Sequence, residues 1–200
     1  MEPFVVLEGV AAPIDQSKVD TDQILLARFL RRPRKEGYGT FLFRDLMDDP
    51  KFVLNQPAWR QAKILVADRN FGGGSSREQA PWALSDYGIR CVIAVDFGEI
   101  FYLNSLKSGV LPIVLDFQVC FDLRKQLHAR PGATMKVDLP AQTVTAPDGA
   151  THRFEIDAFR KKCLLEGLDD VGVTLQHEAA IAAFETQYRQ RFDWLFHGNV

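Results

Sequence analysis

A glycine-rich loop at residues 70–78, NFGGGSSRE, holds the side chains most suited to chemistry. Its three successive glycines allow a sharp backbone turn and the close approach of a ligand to the main chain. The helix predicted to follow would present unpaired N–H groups and the positive end of its dipole, both of which favour an anion. Arg77 adds a planar pair of donors that suits a carboxylate. The glycine-rich loop is therefore predicted to be an anion site.

Ser75 and Glu78 allow a different interpretation of the same loop. Their S-x-x-E spacing is typical of a capping box, in which Ser75 would only cap the helix. The patterns of nucleotide-binding loops, Gly-x-x-x-x-Gly-Lys-Ser/Thr and Gly-x-Gly-x-x-Gly, are absent. No Asp–His relay accompanies Ser75 and Ser76, as a serine hydrolase would require. The residues alone leave an anion site and a simple helix cap open.

The composition is that of a soluble globular protein. The 200 residues are 46% hydrophobic and carry a net charge of −2, so no general attraction to nucleic acid or to anionic membranes is expected. No apolar run approaches the roughly 18 residues of a membrane span. The first residues lack a basic segment and include Glu2 and Glu8, unlike a secretory signal. We therefore expect neither a nucleic-acid nor a membrane partner.

The three cysteines, Cys91, Cys120 and Cys163, lie far apart in the sequence. Such usage suits a reducing compartment and predicts a cytoplasmic protein. No pair has the spacing of metal ligands, so we expect no metal site on this chain. Any metal or cluster must then come from elsewhere.

The hydrophobic pattern predicts an α/β fold in a single domain spanning residues 1–200. The predicted strands cover residues 4–10, 62–67, 90–96, 111–115, 134–139, 143–146 and 151–156. The predicted helices cover residues 76–87, 98–108, 117–128, 156–167 and 174–192. Because helices separate the earlier strands, right-handed crossovers and a largely parallel central sheet are expected.

Four ordered segments resemble one known family. They are VDTDQI at residues 19–24, NFGGGSSREQAPWAL at 70–84, FGEIFYLNSLKSGVLP at 97–112 and IDAFRKKCLLEGLDDVGVTL at 156–175. Their order and spacing are similar to those of the stand-alone swivelling domain of the aconitase family, the small subunits of 3-isopropylmalate dehydratase. The resemblance covers nearly the entire chain.

This resemblance implies a three-layer β/β/α swivelling domain that closes over a large subunit, which carries a [4Fe–4S] cluster. The chain itself would hold no cofactor, in line with its scattered cysteines. The implied substrate is a small 2-hydroxy dicarboxylate, which is dehydrated and then rehydrated with the hydroxyl moved by one carbon. In leucine biosynthesis this reaction interconverts 2-isopropylmalate and 3-isopropylmalate through 2-isopropylmaleate.

The resemblance also implies roles for residues of the glycine-rich loop. Ser75 matches the serine that acts as the base removing the carbon-bound proton. Ser76 matches the neighbour that hydrogen-bonds the substrate, and Arg77 matches the arginine that binds a substrate carboxylate. Gly74 belongs to the same substrate-binding loop. A serine alkoxide requires nearby donors and exclusion of solvent, and closure of the domain would exclude solvent.

Three further residues are placed at the rim by the resemblance. Thr21 and Asp22 are expected near the active site, although the same pair could simply form a local Asx or Ser/Thr turn. Arg31 lies in residues 27–38, the arginine segment, which in related subunits contacts the variable substituent of the substrate. A solvated basic patch, or one that meets the large subunit, explains these arginines equally well.

Two positions depart from the family pattern. Gly73 stands where a cysteine is usual, and Gln79 where a histidine is usual. Neither is the expected base or carboxylate ligand. Such changes leave two alternatives open: a related hydro-lyase acting on citramalate, methylmaleate or homocitrate, and a non-catalytic paralogue that keeps the fold.

Overall fold

Strands and helices alternate along most of the chain. A computed structural model describes residues 1–75 and 77–196. Its strands are β1 Val6–Pro13, β2 Ile64–Val66, β3 Cys91–Ala94, β4 Leu111–Val114, β5 Thr134–Asp138, β6 Thr143–Thr145 and β7 Thr151–Arg153. Its α-helices are α1 Thr21–Ile24, α2 Gln79–Tyr87, α3 Glu99–Lys107, α4 Phe117–Ala129, α5 Ala158–Glu166, α6 Asp170–Leu175 and α7 Glu178–Arg191. The predicted α/β class is confirmed.

The strands form one mixed sheet in the order β4-β3-β2-β1-β5-β6-β7. Neighbouring strands from β1 to β4 are parallel, as predicted, whereas β5, β6 and β7 extend the sheet with antiparallel pairings. β2 and β3 are entirely buried, which is typical of parallel strands covered on both faces. β5 alternates exposed and buried residues, as an antiparallel strand with one solvated face does.

Hydrophobic cores cover both faces of the parallel strands β2 and β3. Successive residues of β2 point to opposite sides, so that Leu65 joins one core cluster while Ile64 and Val66 join the other. Helix α2 adds Leu84 to the first cluster, and α4 adds Leu123 to the second. The two helices therefore sandwich the parallel strands and fix the loops at the ends of those strands.

Several predicted boundaries were wrong for local reasons. β1 continues to Pro13 because its last three residues pair in parallel with β2. The helix predicted at residues 174–192 is two helices, α6 and α7, separated at residues 176–177. α6 begins earlier than predicted because the Asp169 carboxylate accepts a hydrogen bond from the Gly172 N–H and caps it. Each helix of the described residues is too short or too polar to cross a membrane.

The arginine segment has no sheet partner and is held by helix α2 instead. The Asp86 carboxylate accepts hydrogen bonds from Arg34 Nη1 at 2.5 Å and Nη2 at 2.9 Å, and from the Tyr38 N–H at 2.7 Å. The Arg34 guanidinium also lies 5.1 Å from the centre of the Trp82 ring. Tyr38 is 2% exposed. One carboxylate on α2 thus neutralises a cation and satisfies a buried backbone donor.

We expect Asp86→Ala to lower the melting temperature by about 3–8 °C, because it leaves the Tyr38 N–H and Arg34 without their acceptor, a loss of about 1–3 kcal/mol. Calorimetry of the purified chain measures this shift. Asp45→Ala is the matched control: it removes an ion pair with Arg28 that is exposed on both sides and contributes little. Equal shifts in the two variants would contradict the assigned role of Asp86.

Candidate active site

Three loops meet where the parallel strands β1, β2 and β3 end. In open α/β sheets, ligands bind at the carboxyl ends of such strands. The glycine-rich loop, which follows β2, is joined to its neighbours on both sides by backbone hydrogen bonds. Gly72 N donates to Val19 O at 2.7 Å, and Gly98 N donates to Phe71 O at 3.0 Å. The sheet therefore brings together segments that are distant in sequence.

The glycines of the loop are required by its packing. Gly72 has a φ of +72°, and a Cβ there would lie 2.1 Å from the Phe101 ring. A Cβ on Gly98 would lie 2.4 Å from Gly72 O. In both cases the loop lies against the start of α3: Phe101 is a residue of α3, and Gly98 is its N-cap. The start of α3 therefore determines the path of the loop. The atoms nearest to a Cβ on Gly73 would be those of the Asn70 amide, at 2.8 Å, the end of a side chain that can move, and the φ of Gly73 is not positive, so the backbone does not require glycine there.

Ser75 stands at the exposed tip of the loop. Thr21 lies below it: the Thr21 hydroxyl donates to Ser75 O at 2.5 Å, and Thr21 N donates to Gly73 O at 3.0 Å. Gly74 is exposed and has a φ of +84°. Thr21 thus fixes the backbone of the loop from beneath and leaves the Ser75 side chain on the open surface. The predicted position of Ser76 lies outside the described residues.

The alternative in which Ser75 caps a helix is wrong. Helix α2 begins at Gln79, and its N-cap residue, Glu78, makes no side-chain capping hydrogen bond. A capping box is present elsewhere: Gln23 N donates to Asp20 Oδ1 at 2.8 Å, and Asp20 N donates to Gln23 Oε1 at 3.1 Å. This box starts helix α1 and places Thr21 and Asp22 beside the glycine-rich loop. Sequence reasoning missed it, although its D-x-x-Q spacing was a readable signal.

Arg77 is held by Asp22, a pairing that the sequence did not reveal. Its Nη1 and Nη2 groups donate to the two carboxylate oxygens of Asp22, and Nη1 also donates to Leu25 O at 3.2 Å. The Arg77 side chain is only 12% exposed. These bonds use three of the five N–H donors and leave the Nε–H and one Nη2–H without a partner among the described residues. Those two donors share one edge of the guanidinium, the geometry that binds a second carboxylate bidentately.

Arg31 is not brought into this cluster by any hydrogen bond or ion pair within residues 1–75 and 77–196. It lies exposed in the arginine segment. Its neighbours Arg28, Arg32 and Arg34 each have an acidic partner. Arg31 is therefore the guanidinium of this segment that remains available to a ligand or another chain.

The cysteines do not form a metal site. Cys91, Cys120 and Cys163 are buried and unpaired. Burial raises the pKa of Cys91, and it raises the pKa of Cys120 to about 11. Both thiols therefore stay protonated in this chain, and both pack within the second core cluster. In the described part of the chain, no group of three or more His, Cys, Asp and Glu side chains could hold a metal ion.

Comparison with protein families divides the chain into three matched parts. Residues 1–118, which contain the whole candidate site, match the family described as the aconitase C-terminal domain. Residues 122–158 match the family described as LeuD_N. Residues 170–198 match the family described as the C-terminal domain of the 3-isopropylmalate dehydratase small subunit.

Relatives with the same description match almost the whole chain. The 3-isopropylmalate dehydratase small subunit of Xanthobacter autotrophicus is 51% identical over 201 residues, which cover 98% of this chain and 100% of the relative. That of Azorhizobium caulinodans is 50% identical with the same coverage.

A solved structure supports the fold. The structure of 3-isopropylmalate dehydratase from Methanocaldococcus jannaschii aligns with a TM-score of 0.69 at 24% identity, covering 89% of this chain and 98% of that one. At this identity the match establishes the shared fold alone. Together with the family and sequence matches, it completes the assignment: this chain belongs to the family of 3-isopropylmalate dehydratase small subunits.

Proposed function

We propose that the chain is the small subunit of a 3-isopropylmalate dehydratase, which interconverts 2-isopropylmalate and 3-isopropylmalate through 2-isopropylmaleate in leucine biosynthesis. The observation that carries this proposal is that one loop holds both the exposed Ser75 and Arg77, whose guanidinium keeps two donors without a partner among the described residues. The names of its relatives support the same assignment. The three unpaired cysteines suit action in the cytoplasm.

Ser75 would accept the carbon-bound proton of the substrate. As that proton leaves, the hydroxyl departs from the neighbouring carbon as hydroxide, for which the partner's cluster would supply a Lewis acid, and a double bond forms between the two carbons. Addition of water across this bond with the opposite orientation then gives the isomer. A serine alkoxide is strongly basic and is stabilised only by directed donors in a site without bulk water. Because Ser75 lies on an open surface, a partner must cover it before this step.

Arg77 would bind a carboxylate of the substrate through its remaining edge. Asp22 orients the guanidinium from the opposite edge, so the cation is positioned before the substrate arrives. Gly74, with no side chain at the exposed turn, would let the substrate approach the loop backbone, and Ser76 would add a hydrogen bond. Thr21 keeps these groups in register by binding Ser75 O.

The partner would be a large subunit, as the description of the relatives as small subunits suggests. The [4Fe–4S] cluster is assigned to that partner, because none of the three buried cysteines belongs, among the described residues, to a group of side chains that could hold a metal ion. What this chain contributes is the base, the carboxylate ligand and a surface that closes over the site.

The available Arg31 favours a second candidate, a hydro-lyase acting on another diacid. An exposed guanidinium without an acidic partner could bind an additional carboxylate, as in homocitrate. In the same segment, Phe29 stacks on Phe41 with ring centres 4.3 Å apart, which supplies an apolar surface for an isopropyl group instead. Arg31 thus favours a substrate with an additional carboxylate, whereas the Phe29–Phe41 stack favours one with an isopropyl group.

We expect the chain, reconstituted anaerobically with its large subunit, to turn over 3-isopropylmalate with a higher kcat/KM than citramalate or homocitrate. The three substrates should be assayed in parallel through absorbance of the unsaturated intermediate. A preference for homocitrate that disappears in Arg31→Ala would instead support the second candidate. Absence of turnover on all three, with a stable heterodimer, would favour the non-catalytic paralogue.

A further inference from the structure

The C-terminal arm, residues 170–196, comprises α6, α7 and the short helix Asp193–Leu195. It is attached at its base, where Lys107 Nζ lies 2.7 Å from Asp170 Oδ2. Beyond that base every residue of α7 is exposed. A globular protein normally buries one face of such a helix. The arm therefore has a face that the described residues do not cover.

Aromatic side chains follow one another along this face. Phe184, Tyr188, Phe192 and Phe196 recur every four residues, and the rings of successive pairs from Phe184 to Phe192 lie 5.7 and 4.8 Å apart. Phe184 is 64% exposed, and the nearby Trp194 is 71% exposed. Contiguous exposed aromatic surface marks an interaction site, and aromatic residues dominate the binding energy of protein interfaces.

Helix α3 connects this aromatic face to the candidate active site. It begins next to the glycine-rich loop and ends at Lys107, which pairs with Asp170 at the base of the arm. Two of its apolar side chains, Ile100 and Leu103, are exposed one turn apart. Exposed apolar side chains therefore occur both on α3, beside the candidate active site, and on the arm that the end of α3 contacts. A partner that covers Ser75 would lie over the start of α3.

We propose that the C-terminal arm is the surface by which this chain holds the large subunit, an inference that rests on the proposed function. Residues 1–118 match a domain named as the C-terminal part of aconitase, whereas the arm matches a domain named for the small subunit. A domain that stands alone lacks a covalent link to the rest of its enzyme. The exposed aromatic face supplies the non-covalent attachment that replaces it.

The double variant Phe184→Ser/Tyr188→Ser tests this attachment. We expect it to raise the Kd for the purified large subunit at least about tenfold, because it removes two central aromatic side chains. Isothermal titration calorimetry gives this Kd independently of turnover. The rings are exposed, so the circular dichroism spectrum and melting temperature of the chain should not change. Phe159→Ser, an exposed aromatic on α5, is the matched control and should leave the Kd unchanged.

Activity provides the second measurement. With the double variant, the amount of large subunit needed for half-maximal turnover should rise by the same factor, while kcat at saturation is retained. An unchanged Kd overturns the proposal. If self-association in light scattering is lost at the same time, the arm is instead assigned to contact with a second copy of this chain. A raised Kd in a complex that turns over no isopropylmalate would retain the arm and refute the proposed function.

Discussion

Ser75→Ala should lower kcat of the reconstituted enzyme by about 10³-fold, the loss expected when a general base is removed. The KM should change little, because the Ser75 hydroxyl is assigned to proton removal and Arg77 to binding. The fold should be retained, since the Ser75 side chain is exposed and the loop is held through its backbone. Single-turnover kinetics with 3-isopropylmalate and the melting temperature measure the two effects separately.

Ser17→Ala is the control for this experiment. Ser17 is an exposed serine on the loop that follows β1 and takes part in none of the hydrogen bonds described for Ser75 and Arg77, so its replacement should leave kcat unchanged. Solvent exchange of the substrate C–H proton adds a readout specific to the base, and it should be lost with Ser75→Ala only. If Ser75→Ala retains both turnover and exchange, Ser75 is not the base and the non-catalytic interpretation gains support.

The site was predictable from sequence where one loop contains its chemistry. Ser75 and Arg77 lie two residues apart on the glycine-rich loop, so their residue types indicated either an anion site or a helix cap, and the family resemblance indicated their roles. The pairing of Arg77 with Asp22 was not predictable, because it joins residues 55 positions apart through the neighbouring strands β1 and β2. A sequence pattern shows which groups are present, whereas the register of the sheet decides which of them meet.

The fold was predictable to the same degree. The short apolar runs that became β2 and β3 are buried on both faces, so residue type identified these strands, and the helices between the strands indicated their parallel pairing. The prediction of a single helix at residues 174–192 was wrong for the opposite reason. Among the described residues, no side chain of α7 belongs to either core cluster, so the cap at Asp169 and the turn at residues 176–177 determine where the helices there begin and end. Prediction was therefore weakest where the described chain packs against neither core cluster.

Arg77→Lys should lower kcat/KM by about 10²-fold, mainly through a higher KM. Lysine keeps the charge but loses the edge of two parallel donors, and each charge-assisted hydrogen bond is worth about 1.5–3 kcal/mol. Steady-state kinetics across a substrate range separates KM from kcat. Arg28→Lys is the matched control, since Arg28 also pairs with an aspartate but lies on the exposed surface.

Asp22→Asn completes the test, because it shows whether Asp22 orients Arg77 or competes with the substrate carboxylate for Arg77. If Asp22 orients Arg77, the amide should weaken this hold and raise the KM about tenfold, as expected for the loss of a charge-assisted pair. If Asp22 instead occupies the place of the substrate carboxylate, Asp22→Asn should lower the KM. The two donors that Arg77 keeps on its other edge argue for orientation, because a carboxylate can bind there while Asp22 remains in place. A lower KM would therefore refute both the orienting role and the assignment of that edge to the substrate.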